Sequence, residues 1–119
     1  MNLYSETIDR LKKNGYGIAD IEAVCGDDFA IPIENFLEVA KKTNYDNGYG
    51  GQEVATDLII KMKDGSWFER GEYDGSEWWA YKKSPEIPQQ SCRVKYLTGE
   101  TSWETLRECQ IREGEREHE

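Results

Sequence analysis

Four carboxylates and a guanidinium lie together in the middle of the chain, and their types could support acid–base chemistry. They are Glu69, Arg70, Glu72, Asp74 and Glu77. Two carboxylates in an aromatic pocket can act as general acid and base, because desolvation by an indole raises the pKa of one while the other stays ionised. Acid pairs on hairpins mostly face solvent, however, and Asp74 has a simpler role as a turn residue. The sequence therefore favours a protein that is not an enzyme, and a carboxylate hydrolase relying on Glu69 or Glu77 ranks last.

Histidine, cysteine and metal chemistry finds little support. The only histidine, His118, lies next to the last residue of a charged tail, where an ordered imidazole is not expected. Cys25, Cys92 and Cys109 are odd in number and widely spaced, so they predict neither a disulfide framework nor a zinc site. We expect reduced thiols in a cytosolic protein. The acids at 27–28 are explained more simply as turn residues than as ligands, and we predict no metal and no cofactor.

Length and charge bound the class of protein. The chain has 119 residues, with 15 Lys and Arg against 24 Asp and Glu, which gives a net charge of −9. This length predicts one domain, placed at residues 1–111, and a charged, frayed tail at 112–119. An acidic chain lacks the basic footprint that duplex nucleic acid binding needs. No run of about 18 apolar residues and no signal-peptide core is present, so neither a membrane span nor export is predicted.

Aromatic residues are concentrated in the same ribbon as the acids. Six lie within fifteen residues: Trp67, Phe68, Tyr73, Trp78, Trp79 and Tyr81. Because successive side chains of a strand point to opposite faces, Trp78 and Trp79 must lie on opposite sides of a sheet. One indole can join the core beneath the helices, and the other then lies on the far face. That face is either covered by a loop and by cross-strand pairs, or open to a partner, a second copy or a ligand.

A glycine-rich loop at residues 44–51 is the second candidate binding element. It contains Tyr45, Tyr49 and three glycines, but it lacks the lysine and the strand-loop-helix order of a phosphate-binding loop. Tyrosine and glycine in so short a loop are typical of a recognition surface. The predicted binding residues are therefore Trp67, Arg70, Tyr73, Trp78, Trp79, Tyr45 and Tyr49.

Hydrophobic periodicity predicts the elements that position these residues. Tyr4, Ile8 and Leu11 share one face of a first helix that ends at Gly15. A short strand is expected at about 20–25, and Pro32 begins a second helix.

The strongest pattern covers residues 54–82. Alternation predicts strands at 54–63, 67–73 and 77–82, and the sequences Asp64-Gly65 and Asp74-Gly75 each predict a two-residue type I′ turn.

The end of the chain predicts one more strand and one more helix. A fourth strand is expected at 92–96. A capping box at Thr101 and Glu104 predicts the start of a last helix, with Trp103 and Leu106 on its apolar edge. The fold class is α+β: a small antiparallel β-meander of about four strands with two or three helices packed on one face.

The residues WFERGEYDGSEWWAYK at 67–82, followed by Pro85, resemble small proteins encoded by phages and mobile elements of gut bacteria, which carry an E-Y-D-G-S-E-W-W signature. Residues 36–40, 45–50 and 57–60 fit the same pattern, and the resemblance covers roughly residues 18–88. It implies a phage or mobile-element origin and a cytoplasmic setting in a bacterial host. It implies no activity and carries over no catalytic residue.

This resemblance, the acidic charge and the open aromatic face together predict a non-enzymatic phage protein that binds a bacterial host protein. An acidic surface can occupy a basic nucleic-acid groove, so the expected partner is a host defence nuclease complex. The protein would inhibit that complex in the manner of an anti-CRISPR protein. The open sheet face also allows a homodimer. The alternative is a small-ligand module that binds a nucleotide or signalling molecule between the aromatic strands and the 44–51 loop, with a base stacked on an indole and Arg70 meeting a phosphate.

Overall fold

The β-meander expected in the middle of the chain is part of a larger sheet in the computed structural model, which describes residues 1–48 and 50–112. The strands are β1 (Ile21–Cys25), β2 (Ala30–Ile31), β3 (Ile59–Met62), β4 (Trp67–Tyr73) and β5 (Ser76–Lys82). All neighbouring strands are antiparallel, and their order across the sheet is β2-β1-β3-β4-β5. The predicted α+β class is confirmed, with five strands where about four were expected.

Two helices precede the meander in the sequence. Helix α1 (Leu3–Lys13) begins after Asn2, whose side chain accepts a hydrogen bond from the Ser5 N–H, and it ends before Gly15, whose φ of 85° is left-handed. Helix α2 (Ile33–Lys41) follows Pro32, which occupies the cap rather than the first helical position.

Side-chain alternation gives the sheet two distinct faces. The inner face packs against α1 and α2 in a core. Its most deeply buried apolar strand residues are Val24, Ile60, Met62, Phe68 and Trp79, each at most 1% exposed. The outer face carries the residues between these, such as Lys61 and Trp67. Trp79 therefore lies inside and Trp78 outside, which confirms the predicted split of the two indoles.

The two Asp-Gly sequences form different turns. Asp74 and Gly75 have φ values of 51° and 86°, as a two-residue type I′ turn requires. At the other turn Gly65 alone is left-handed, and the Gly65 N–H donates to the Met62 carbonyl at 3.0 Å. The prediction of a type I′ turn here is wrong, because Lys63 joins the loop and makes it three residues long, with the glycine in the third position.

Two of the predicted strands also need correction. The strand expected at 54–63 is confined to β3, since residues 55–58 form a turn closed by the Leu58 N–H on the Ala55 carbonyl at 3.3 Å. Val54 and Leu58 are buried all the same, which explains the apparent alternation. The strand predicted at 92–96 does not form. Most side chains there are exposed, so burial of apolar surface does not offset the conformational entropy lost when the backbone becomes ordered. β1 and β2 complete the sheet instead.

The chain divides into two units, Met1–Pro85 and a second unit that begins at Glu86. The second unit contains α3 (Leu106–Cys109), capped by a reciprocal box between Thr105 and Glu108. The helix start predicted at Thr101 is wrong, although Thr101 and Glu104 do bond to each other at 2.6 Å. Trp103 and Leu106 line no apolar edge: Trp103 is fully exposed and Leu106 is 55% exposed. The single domain expected over 1–111 stays a prediction, and the tail expected at 112–119 lies outside the described residues apart from Arg112.

Candidate functional site

The β4–β5 hairpin divides the predicted binding residues between its two faces. Arg70 and Trp79 lie on the inner face, and Tyr45 is buried with them. Trp67, Tyr73 and Trp78 lie on the outer face by strand alternation. Tyr49, the seventh predicted residue, lies outside the described residues. The seven therefore do not form one surface, since a sheet separates the first group from the second.

The inner group belongs to a buried ion cluster, made of Glu6, Tyr45, Arg70 and Glu77. The Arg70 side chain is 0% exposed, with Nη1 3.1 Å from Glu6 Oε2 and Nη2 2.6 Å from Glu77 Oε1. The Tyr45 hydroxyl donates to Glu6 Oε1 at 2.5 Å, and the Arg70 guanidinium lies 4.7 Å from the Trp79 ring centre. Within this cluster, Glu6 and Glu77 thus each have the Arg70 guanidinium as a fixed partner of opposite sign.

The electrostatics of the cluster follow from burial and hydrogen bonding. Burial disfavours the charged guanidinium of Arg70, but hydrogen bonds to Tyr45 and Glu77 and the charge of Glu6 outweigh it, so the pKa of Arg70 is raised. Burial and the hydrogen bond to Glu6 raise the pKa of Tyr45 to about 12. At neutral pH Arg70 is therefore cationic and Tyr45 is a neutral hydrogen-bond donor.

These ion pairs remove two of the predicted chemical roles. Arg70 is not available to a phosphate, because two carboxylates already occupy its terminal nitrogens. Glu77 also accepts the Glu53 N–H at 2.7 Å, so it has no exposed oxygen to act as a base. Glu69 lies on the outer face, so Glu69 and Glu77 are separated by the sheet and cannot flank one substrate.

Glu6 of this cluster and Asn47 of the loop cap two N–H groups on the free edge of β5. The pair Tyr73 and Ser76 closes the hairpin turn, so Glu77 and Trp79 turn their N–H groups away from β4. The Glu77 N–H donates to Asn47 Oδ1 at 2.7 Å, and the Trp79 N–H donates to Glu6 Oε2 at 3.2 Å. The 44–51 loop, predicted as a recognition element, thus supplies an edge cap through Asn47.

The sequence interpretation missed the roles of Glu6 and Asn47. An acid in the first turn of a helix is explained by the helix dipole alone, and an asparagine before a glycine is explained by a turn. The only signal for the cluster was Arg70 at an inward position of a strand with core residues on either side of it.

The outer face of the hairpin is the candidate binding surface. We name Trp67, Glu69, Gly71, Tyr73 and Trp78 the outer aromatic face. Gly71 lies opposite Trp78, and a Cβ at position 71 would stand 2.8 Å from the indole, so the ring lies directly on the glycine backbone. Trp67 Nε1 donates to Glu69 Oε1 at 3.0 Å, and Tyr73 is 77% exposed. These contacts fix two indoles, and the exposed Tyr73 lies at the turn end of the same face, diagonally across from Trp78.

A cleft of about 400 Å³ runs between α1 and β5. Its walls include Arg10 and Lys13 from the helix, Asn47 from the loop and Trp78 from the strand. Lys13 pairs with Asp9 at 3.0 Å, whereas Arg10 has no salt bridge within the described part of the chain. The cleft therefore brings Arg10 and Trp78 to one cavity, whose walls also hold the acids Glu6, Asp9 and Glu77. It lies beside α1, whereas the sequence predicts a small ligand between the aromatic strands and the 44–51 loop.

No family model matches the chain, and neither a curated protein nor a solved structure gives a significant match. Over residues 1–48 and 50–112, no helix is long and apolar enough to cross a membrane. Within those same residues, no group of three or more His, Cys, Asp or Glu side chains is placed to hold a metal ion. The resemblance to phage proteins stays a prediction.

Proposed function

We propose that this is a non-enzymatic, phage-encoded protein of the bacterial cytoplasm that binds a host protein through the outer aromatic face. The observation that carries the proposal is the Trp78 indole held in close contact with Gly71, on the side of the sheet opposite α1 and α2. Tyr73 projects beside it, largely exposed. Tryptophan and tyrosine are the side chains most enriched among the residues that dominate binding energy at protein interfaces.

Rigidity favours binding at this face. The Trp67 indole donates a 3.0 Å hydrogen bond to Glu69, and the Trp78 indole packs against the backbone of Gly71. A side chain that is already fixed loses little rotamer freedom on binding, so more of the contact energy contributes to affinity.

Charge indicates the chemistry of the partner. Residues 1–85 contain 16 Asp and Glu against 10 Lys and Arg, a balance of −6. At one end of the outer face, Lys61 and Lys82 lie opposite Trp67 on the two neighbouring strands. At the other end, Tyr73 and Asp74 lie at the hairpin turn. The turn end is therefore the acidic end, and it suits a basic groove such as the nucleic-acid channel of a defence nuclease. The proposed activity is inhibition of that complex, of the anti-CRISPR kind.

The test is an affinity pull-down of tagged protein from host lysate at low and high salt, read by mass spectrometry. Tyr73→Ala is the main variant, because a side chain that is 77% exposed can be removed without disturbing the core. Phe29→Ala is the matched control, since Phe29 is an aromatic residue with a similar exposure of 71% elsewhere in the same unit. We expect a host protein that wild type and Phe29→Ala recover, that Tyr73→Ala does not, and that high salt releases. Equal recovery by both variants would rule out this face.

A second candidate function is a small-ligand module, and the cleft beside α1 favours it. The cation would be Arg10 rather than Arg70, and a base would stack on Trp78, a contact worth roughly 1–3 kcal/mol. Such a protein gains thermal stability from its ligand by mass action. We expect a nucleotide that stabilises wild type but not Arg10→Ala; an unchanged melting temperature across a nucleotide panel would count against this function.

A further inference from the structure

The second unit exposes most of its large apolar side chains. Across the described residues 86–112, six are at least 46% exposed: Ile87, Val94, Leu97, Trp103, Leu106 and Ile111. Cys109 is the one buried residue in that range. The segment therefore has no hydrophobic core of its own.

Polar contacts nevertheless give the segment a defined conformation. The Gln110 side chain accepts the Lys95 N–H at 2.9 Å and donates to the Tyr96 carbonyl at 2.6 Å. Arg112 stacks on the Tyr96 ring at 3.9 Å and donates to the Thr98 carbonyl at 2.8 Å. These bonds join residues 95–98 to residues 110–112 and hold the segment while its apolar side chains face solvent.

Units this short usually need additional stabilisation. Below about 40 residues, folded units depend on disulfides, metals or oligomerisation. Cys92 and Cys109 are free, and the described residues contain no metal-holding cluster. Of the three sources, oligomerisation is the one that the exposed apolar side chains can supply.

We propose that residues 86–112 form the interface of a homodimer. The segment contains four acids and four bases, so its net charge is 4 − 4 = 0. A two-fold interface places the same surface of both subunits face to face. A segment with no net charge does not repel its copy, whereas the acidic first unit would. A specific interface buries roughly 800 Å² per partner, and a fully exposed tryptophan such as Trp103 supplies up to about 250 Å² of it. The other five side chains, between 46% and 89% exposed, are the remaining apolar surface that the segment offers.

The test is the mass of the full chain by light scattering over a concentration series. We expect wild type to be a dimer, and Trp103→Glu and Leu97→Glu to weaken dimerisation on the order of a hundredfold. Both residues are at least 79% exposed, so the first unit should keep its thermal unfolding transition in both variants. Tyr73→Glu is the matched control, because it places the same charge on the outer aromatic face.

Three results would overturn the proposal. One is a monomeric wild-type protein at all concentrations. Another is a dimer that both Trp103→Glu and Leu97→Glu leave intact. The third is a dimer that Tyr73→Glu alone abolishes, which would place the interface on the sheet instead.

Discussion

The backbone N–H of Trp79 donates to the carboxylate of Glu6 across 3.2 Å, although the two residues are 73 positions apart. A helix side chain thereby fills a hydrogen-bonding position on the open edge of the sheet. The same carboxylate binds Arg70 at 3.1 Å, so one acid serves the edge and the buried guanidinium together. Together with the bond from Trp79 Nε1 to Thr7 Oγ1 at 2.9 Å, this arrangement links α1 to the hairpin, and it leads to the predictions below.

Replacing Arg70 by Met should strongly destabilise the protein. The substitution leaves Glu6 and Glu77 buried without their cation, and breaking a buried pair in this way costs about 3–5 kcal/mol. The free energy of unfolding, measured in urea, checks it. Lys13→Ala is the control: it breaks an exposed pair with Asp9, for which we expect a loss below about 1 kcal/mol. An equal loss of unfolding free energy in the two variants would contradict the buried ion pairs of Arg70.

Gly71→Ala should disturb the outer aromatic face. A methyl group at position 71 would stand 2.8 Å from the Trp78 indole, so the ring must move, at a cost of about 1–3 kcal/mol. Gly51→Ala is the control, because nothing lies within 4 Å of a Cβ there. In a Trp78→Ala background, Gly71→Ala should lose most of its effect on urea unfolding. A full effect in that background would show that the indole is not the obstacle.

Asn47→Ala should expose one specific amide. The Glu77 N–H loses its acceptor Asn47 Oδ1, so its hydrogen exchange should accelerate at least tenfold. The Trp79 amide, held by Glu6, is an internal control and should keep its rate. Equal acceleration at both amides would indicate general opening of the edge rather than loss of a single cap.

Alkaline pH should weaken the fold through Tyr45. Its pKa is about 12 in the folded protein against 10.0 for the free side chain, because burial and the bond to Glu6 favour the neutral phenol. Since the folded pKa is the higher one, this stabilisation is complete below pH 10 and is lost as the pH rises toward 12. We expect the free energy of unfolding to fall over that window, and to fall less in Tyr45→Phe. An identical decline in both proteins would assign the effect to another group.

Much of the fold could be predicted from local signals. α1, α2 and the hairpin follow from periodicity and turn residues that lie close in sequence, and strand alternation correctly separated Trp78 from Trp79. The last helix was misplaced because Thr101 and Thr105 both begin a capping-box pattern, and the sequence pattern alone does not distinguish them.

The candidate site was predicted less well, for a physical reason. The partners of Arg70 lie 64 and 7 residues away, and no local pattern connects Glu6 to β4. Arg70 and Tyr45 therefore looked like exposed binding residues, although they are ion-cluster residues. Strand alternation places Trp67, Tyr73 and Trp78 together on the outer face, and their role in binding stays a prediction.

The cap on β5 has a consequence for the nascent chain. The sequence Glu77–Lys82 is rich in aromatic residues, and such strands with unsatisfied edges pair with other chains. Ribosomes deliver α1 and Asn47 before the hairpin is complete, so the groups that close the edge already exist when the edge forms. The order of synthesis thus supplies these two acceptors before the strand edge that they cap.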